Sequence, residues 1–471
     1  MNGFIRGLGE MEIQGVKGFA SAGKWLSVAL VGACGLLSGV TPALCQPNQP
    51  PLQLSRASGG HPQDVEFIIP PTVPGAPNAF PASLPSYSLA DLERIALGRH
   101  PALAQAAAQV EAARGRWVQA GLRPNPTFGY SGQEIGNEGT VGQQGLYASR
   151  EFVMGNKLGL SQSAAAEQIR AAEAAWRTTE MRVMADLRFA FINALVAQER
   201  LGLAQEIQRV SDDGVTVARA RVEARESAQV DLIQAQIEAS RAGVLVTNAQ
   251  AELDQAWRRL TVAVGGEALE REPLLGTLVG NIPDFDWQGT WNRVMDSNPL
   301  LANAQAQISA ARWNIQRQGA EPIPNVTVQA GVSYGAISDH TFTNLQLSIP
   351  IPVNDANQGT LQAARAEFSS AQRNLDRVML QLERSLADVF ASYQAANRQV
   401  EWYETDILKN AGDALEIIRG TYRLGETDYT AVLTAQRTFF DARSQYLNAL
   451  QAAHVAAVRL DFLLLEDAIT Q

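Results

Sequence analysis

The stretch from residue 358 to residue 465 constrains the fold more than any other part of the chain. Apolar side chains recur at alternating steps of four and three from Val378 to Ile407, and again from Val432 to Leu464 after a short break. This spacing is typical of a coiled-coil seam. At 1.5 Å per residue, the first of the two predicted helices would be roughly 95 Å long. A compact domain cannot enclose such a helix, so we expect a long helical hairpin that projects from the rest of the protein.

The chain contains the same order of motifs twice. His100-Pro101 recurs as Asn298-Pro299, and Pro124-x-Pro126 recurs as Pro322-x-Pro324, at the same offset. Each copy predicts a helix, a strand hairpin and a long helical hairpin, which is an internal duplication. The predicted first unit spans 88–264, with strands within 125–152 and a helical hairpin at 157–264. The predicted second unit spans 286–471, with strands within 324–351 and a helical hairpin at 358–465, and residues 265–285 link the two units.

The first 45 residues have the composition of an export signal. Lys17 and Lys24 precede an apolar run that is too short and too glycine-rich for a comfortable spanning helix. Cleavage after Cys45 and lipoprotein-type cleavage before Cys34 are both compatible with the sequence. Both cysteines lie in this leader, so we expect no disulfide in the mature chain. Residues 46–87 are rich in proline and predict an extended arm or a disordered tether.

The second strand hairpin has a sharp alternation of apolar and polar residues. The predicted lipid-facing residues are Val326, Val328, Val332, Leu345, Leu347 and Ile349. About nine residues of strict alternation is the length that a membrane-spanning strand needs. Four strands cannot close a barrel, and an open sheet edge in lipid leaves backbone groups unsatisfied at several kcal/mol each. We therefore expect oligomerisation, in which three chains would supply twelve strands and twelve long helices.

Several local motifs resemble those of one membrane protein family. They are Ala120 to Pro126 leading into a strand, Gly425 in the second helix break, and Val432-Leu433-Thr434-Ala435-Gln436 after it. Together with the duplication, they resemble the TolC-type outer-membrane efflux factors, and the first motif resembles their cobalt–zinc–cadmium subgroup. The resemblance implies a mainly helical homotrimer, with a 12-stranded β-barrel in the outer membrane and a 12-helix α-barrel in the periplasm. It also implies a periplasmic membrane-fusion adaptor and an inner-membrane pump of the RND type as partners.

The same resemblance implies roles for residues at the two helix breaks. The expected adaptor-binding tips contain Arg225, Glu226, Leu424, Gly425 and Glu426, with arginine at the position where the family has glycine in the first tip. Tyr422 and Asp231 occupy the positions of a gate, in which a phenol donates a hydrogen bond to a carboxylate. The alternative is that Tyr422 packs in the seam and Asp231 complements the dipole of a helix N-terminus.

Other functions are less consistent with the sequence. The net charge is −10 and no basic block is present, which argues against a nucleic-acid partner. We found no Ser/His/Asp set, phosphate loop or helix-spaced histidine pair, so we predict no enzyme activity, no metal site and no cofactor. The predicted function is the exit duct of a tripartite efflux system for small molecules or metal ions. The alternatives are the exit duct of a type I protein secretion system and a lipid-anchored coiled-coil scaffold.

Overall fold

A computed structural model describes residues 87–225, 227–266, 269–280, 282–424 and 426–462. The predicted leader lies outside these residues, as does the proline-rich arm except for Tyr87. Two predicted tip residues, Glu226 and Gly425, also lie outside them.

The first half of the chain forms two short helices, a strand hairpin and a long helical hairpin. Its elements are β1 (Tyr87–Ser88), α1 (Leu89–Arg99), α2 (Pro101–Gly121), β2 (Thr127–Gln133), β3 (Gln143–Phe152), α3 (Lys157–Glu223) and α4 (Gln229–Val264). Ser88 caps α1, because its side chain accepts a hydrogen bond from the backbone N–H of Asp91 at 3.3 Å. Pro101 begins α2, where a missing N–H costs nothing. Local capping thus divides the first helical segment in two.

The second half repeats this order. Its elements are β4 (Leu274–Leu275), α5 (Trp287–Ser297), α6 (Pro299–Gly319), β5 (Val326–Gly335), β6 (His340–Ser348), α7 (Gln358–Trp402), a π-helical turn (Tyr403–Ile407), α8 (Leu408–Arg423) and α9 (Tyr429–Asp461). Helices α5 and α6 have 11 and 21 residues, the same lengths as α1 and α2. The short strands β1 and β4 pair in parallel and so connect the two halves.

The two long helices start at equivalent asparagines. Asn156 and Asn357 precede α3 and α7 with φ angles of 54° and 59°, in the left-handed region. Asparagine tolerates this conformation better than most residues. The side-chain amide of Asn357 also donates to the backbone carbonyl of Gln318 at 2.9 Å. These two positions turn the chain from the sheet into the long helices.

The main core lies around the middle of the long helices. Leu187 and Val196 of α3 are fully buried against Leu92 of α1, Leu260 of α4 and Leu450 of α9. A second cluster surrounds Leu386 and Tyr393 of α7. No helix in the described ranges is both long enough and apolar enough to cross a bilayer.

Away from this core, α4 packs through small side chains. Ala235, Ala242, Ala249 and Ala256 are all buried and lie seven residues apart. A buried alanine in every second turn lets α4 lie close to its neighbours along much of its length. The helical hairpin therefore remains regular far from the large apolar core.

The π-helical turn changes the packing register of the second long helix. The predicted seam continues from Val400 through Ile407, but the side chain of Ile407 is 40% exposed. A π turn inserts one extra residue into the helix. The four-three spacing would place residue 414 in the seam, whereas Leu415 is the buried side chain. The predicted seam ends at Ile407, and beyond the π turn the buried positions are shifted by one residue from a continued four-three spacing.

The two strand hairpins join into one antiparallel sheet in the order β2-β3-β5-β6. The central pairing aligns Phe152 with Val326 at one end and Gln143 with Gly335 at the other. Strands β2 and β6 form the edges, and neither edge has a second partner strand within the described ranges.

Candidate functional site

The sheet has one mainly apolar face, on which Arg150 pairs with Val328, and one mainly polar face. The register places Val326, Val328, Val332, Leu345 and Leu347 on one face, because directly paired residues point to the same side. Phe128 and Leu146 of the first hairpin lie on this face as well, and their side chains are 79% and 70% exposed. A single subunit therefore exposes a broad apolar surface, and surfaces of this kind are typical of contact with a membrane or with another protein.

Ile349 is an exception among the predicted lipid-facing residues. Strand β6 ends at Ser348, so Ile349 lies beyond the strand. It precedes Pro350, which has no backbone N–H to donate to a neighbouring strand. Ile349 is nevertheless 46% exposed.

The opposite face carries mainly amide, hydroxyl and glycine residues, with Tyr147 and Phe342 among them. Gln143 and Asn344 both donate from their side-chain amides to the Ser333 hydroxyl oxygen, at 2.6 and 2.9 Å. Ser333 is buried under these neighbours. Side-chain hydrogen bonds across three strands therefore connect the polar face.

Arg225 in the first tip has an unusual backbone conformation. Its φ angle is 63°, in the left-handed region that favours glycine. Its backbone N–H donates to the carbonyl oxygen of Val222 at 3.0 Å, and that of Ala224 donates to Ala220 at 3.0 Å. The chain thus ends α3 with the geometry that glycine usually provides.

The second tip ends α8 with a hydrogen bond that spans the last turn. The backbone N–H of Glu426 donates to the carbonyl oxygen of Thr421 at 3.0 Å, as in a Schellman motif. The Thr421 hydroxyl lies 3.2 Å from the Thr427 hydroxyl across the same turn. Leu424 is 75% exposed at the end of the hairpin.

The two predicted gate residues have different partners within a subunit. The Tyr422 ring packs against the Arg221 guanidinium at 4.6 Å and the Tyr429 ring at 5.8 Å. The Asp231 carboxylate accepts a hydrogen bond from the Ser227 hydroxyl. In the part of the chain that the structure describes, no hydrogen bond joins Tyr422 to Asp231.

Tyr429 is a tip residue that the sequence reasoning missed. It is 7% exposed and packs with Ala218, Ala235 and Val432, which belong to both helical hairpins. Burial raises the pKa of Tyr429 to about 12, with smaller contributions from Tyr422, Glu238 and Asp231. The four-three seam could have revealed it, since stepping back three residues from Val432 reaches Tyr429.

Charged side chains also connect the two halves. Arg437 of α9 pairs with Glu238 of α4, and Arg443 pairs with Glu206 of α3 at 2.6 Å. Exposed pairs of this kind contribute little stability individually. Within the described residues, no group of three or more His, Cys, Asp or Glu side chains has an arrangement that could hold a metal ion.

Two long helical hairpins attached to a sheet with opposite apolar and polar faces define a subunit of a tubular outer-membrane channel. The family model for outer membrane efflux proteins matches residues 92–266 and 291–464. The chain belongs to this family. The two matched segments correspond to the two halves of the duplication.

Known relatives extend over most of the chain. The cobalt-zinc-cadmium resistance protein CzcC of Cupriavidus metallidurans is 24% identical, over 79% of this chain and 88% of its own. The nickel-cobalt-cadmium resistance protein NccC of Alcaligenes xylosoxydans xylosoxydans is 29% identical, over 64% of this chain and 68% of its own. A crystal structure of CusC has a TM-score of 0.68 and 21% identity, covering 84% of this chain and 96% of that one.

Membership of this family confirms the main predictions made from the sequence. The protein is a subunit of a trimeric outer-membrane channel with a β-barrel in the membrane and a helical barrel in the periplasm. It is the exit duct of a tripartite efflux system, which also includes an adaptor and an inner-membrane pump. Members of the family are channels rather than enzymes. The predicted resemblance and fold class are thereby confirmed.

Proposed function

We propose that this channel releases divalent heavy-metal cations, and that its inner-membrane partner is an RND-type pump. The observation that carries this proposal is the match to CzcC, which covers 88% of that cobalt-zinc-cadmium resistance protein. NccC, the second relative with a metal-resistance name, supports the same substrate class. The subunit makes and breaks no bond, and its role is to conduct.

Deleting the gene in its host would test the substrate class. We expect the minimal inhibitory concentrations of zinc, cobalt, cadmium or nickel salts to fall, and a plasmid copy to restore them. A relative named as a proteases secretion protein, PrtF of Dickeya chrysanthemi, is 24% identical. Unchanged metal tolerance with loss of a secreted protein would therefore favour the type I secretion alternative.

We also propose that the adaptor docks on the two tips, at Arg225, Glu226, Leu424, Gly425 and Glu426. The exposure of Leu424 at the end of the second hairpin supports this assignment. The variant Gly425→Asp should abolish efflux while the trimer still assembles and inserts. The matched control is Gly420→Asp in α8, where an added Cβ would meet no atom within 4 Å. Equal loss of efflux in both variants would contradict a specific role of the tip.

The proposed gate joins Tyr422 of one subunit to Asp231 of the next. A phenol-to-carboxylate hydrogen bond is strong enough to hold the tip closed and can still be broken. The double variant Tyr422→Phe, Asp231→Ala should raise the conductance of reconstituted trimers. Because the Asp231 carboxylate also accepts a bond from Ser227, Ser227→Ala is the control for loss of the intrasubunit contact. Unchanged conductance in the double variant would exclude this gate.

The apolar face of the sheet is proposed to meet lipid, with the polar face lining the bore. A charged side chain on the lipid face costs about 2–4 kcal/mol at the bilayer midplane. We therefore expect Leu345→Arg to reduce insertion of the trimer into the outer membrane. Asn344→Arg places the same side chain one residue away on the other face, and should insert normally. The opposite result would reverse the assignment of the two faces.

A further inference from the structure

Tyr147 lies on the polar face of the sheet in a row with two glycines. The register pairs it with Gly129 on β2 and with Gly331 on β5. Directly paired residues point to the same side, so these glycines leave space on both sides of the tyrosine. Within the described strands, no other large aromatic side chain on the polar face has a glycine beside it on both neighbouring strands.

The tyrosine ring occupies the space above Gly129. A Cβ atom at position 129 would lie 2.7 Å from Cε1 of Tyr147, and nearer still to its Cζ and hydroxyl oxygen. Side-chain carbons do not approach one another this closely, so the ring can lie flat on β2 only while residue 129 is glycine. The atoms in conflict belong to the far end of a side chain that rotates about two bonds.

Position 331 also requires glycine. On the β5 side, a Cβ at Gly331 would be 3.0 Å from the Cβ of Tyr147 and 2.8 Å from the carbonyl oxygen of Leu146. A ring displaced from Gly129 therefore leaves its place on β2 and turns either over Gly331 or away from the sheet, on its polar side. The experiment below distinguishes these two directions.

We propose that Tyr147 and Gly129 set the clear width of the barrel. The ring lies along the wall, Gly129 keeps it there, and three such rings surround the lumen in the trimer. This inference rests on the proposed assignment of the polar face to the bore. It makes Tyr147 a residue that determines the size of solutes that can leave through the barrel.

A reporter cysteine tests this inference without involving the pump, the adaptor or a metal. Ser149 lies two residues after Tyr147 on β3, on the same face and nearer to the helices. In the variant Ser149→Cys, membrane-impermeant maleimides of increasing size added outside the cell have to pass the tyrosine level to react. Cys34 and Cys45 lie in the predicted leader, and labelling of the protein without the reporter measures any background from them.

With the reporter present, Gly129→Val should slow labelling by the large maleimides several-fold and leave the small ones nearly unchanged. Adding Tyr147→Ala to Gly129→Val should restore fast labelling, because no ring remains to enter the lumen. If Gly129→Val does not assemble, Gly129→Ala makes the same test, since even a single Cβ displaces the ring. Gly331→Val should fail to assemble, because there the conflict is with backbone.

Two results would overturn the inference. Equal labelling by the large reagents of the reporter protein with the native Gly129 and of the same protein with Gly129→Val would show that the ring does not enter the lumen. Slow labelling that persists in the Gly129→Val, Tyr147→Ala double variant would assign the effect to the valine. Failure of Ser149→Cys to react with the small reagents in the otherwise unchanged protein would refute the bore assignment itself, whereas the metal-tolerance and docking proposals would stand.

Discussion

Replacing Arg225 by glycine should stabilise the first tip. Arg225 has a φ angle of 63°, where the Cβ of any residue other than glycine is crowded by the following carbonyl oxygen. The structure therefore predicts that the end of α3 carries a local conformational cost. Glycine would remove this cost without changing the hydrogen bonds of the last turn.

The size of the effect follows from two opposing terms. Left-handed backbone costs a non-glycine residue about 1–2 kcal/mol. Glycine gains freedom when the turn opens, which offsets about 0.4–1 kcal/mol of the benefit. We expect a net gain of about 0.5–1 kcal/mol in the free energy of opening, or about two- to five-fold in the opening equilibrium.

Amide hydrogen exchange at Ala224 measures this equilibrium, because its N–H is bonded to the carbonyl oxygen of Ala220. Exchange of this amide should slow about two- to five-fold in Arg225→Gly. The matched control is Arg225→Ala, which removes the guanidinium but keeps the Cβ, and its exchange should stay close to that of the parent protein. Equal slowing in both variants would refute the backbone explanation, and unchanged exchange in Arg225→Gly would refute the predicted strain.

Three further predictions concern stability. Tyr393→Phe removes the hydrogen bond that the tyrosine hydroxyl donates to the carbonyl oxygen of Pro283 at 2.7 Å. The free energy of unfolding, measured by thermal denaturation, should fall by about 1 kcal/mol, and an unchanged value would contradict a contribution of this bond. Gly145→Val should prevent trimer assembly, because a Cβ there would lie 2.8 Å from the carbonyl oxygen of Val332, and heat-resistant trimers on gels would disprove this. Because the pKa of Tyr429 is raised to about 12, the folded tip keeps the phenol proton at pH values where the unfolded chain has lost it. The stability of the folded tip should therefore be complete below pH 10 and decrease between pH 10 and pH 12. Hydrogen exchange of the tip amides between pH 10 and pH 12 should show this loss of stability. The variant Tyr429→Phe should not show the loss, and an equal loss in that variant would mean that another group causes it.

The long helices and their order were predictable because their signals are local. The four-three spacing of apolar residues indicates a helix wherever it occurs, and Ser88, Pro101 and Pro299 mark starts by their own backbone chemistry. The alternation at Val326 and Leu345 likewise predicts a strand with one apolar face. Each of these signals depends on neighbours a few residues away, so one sequence was enough.

The tips were less predictable, because their contacts connect distant parts of the chain. The resemblance pointed to Tyr422 and Asp231, but it did not reveal that Arg221, Tyr429 and Ser227 are their partners within a subunit. Tyr429 was missed although the seam reaches it. Its burial depends on α3 and α4, which lie some two hundred residues earlier in the sequence.

The sequence by itself determined the duplication, the helical hairpins and the strands with an apolar face, because these follow from periodicity and capping. Only the tertiary structure decided that the hairpins join through β3 and β5, since strand partners are chosen by packing rather than by local pattern. It also decided the one-residue shift of the seam after Tyr403–Ile407 and the position of the Tyr147 ring on Gly129. A π turn and a glycine contact between strands leave no periodic signal, because each is fixed by the space that neighbouring elements leave.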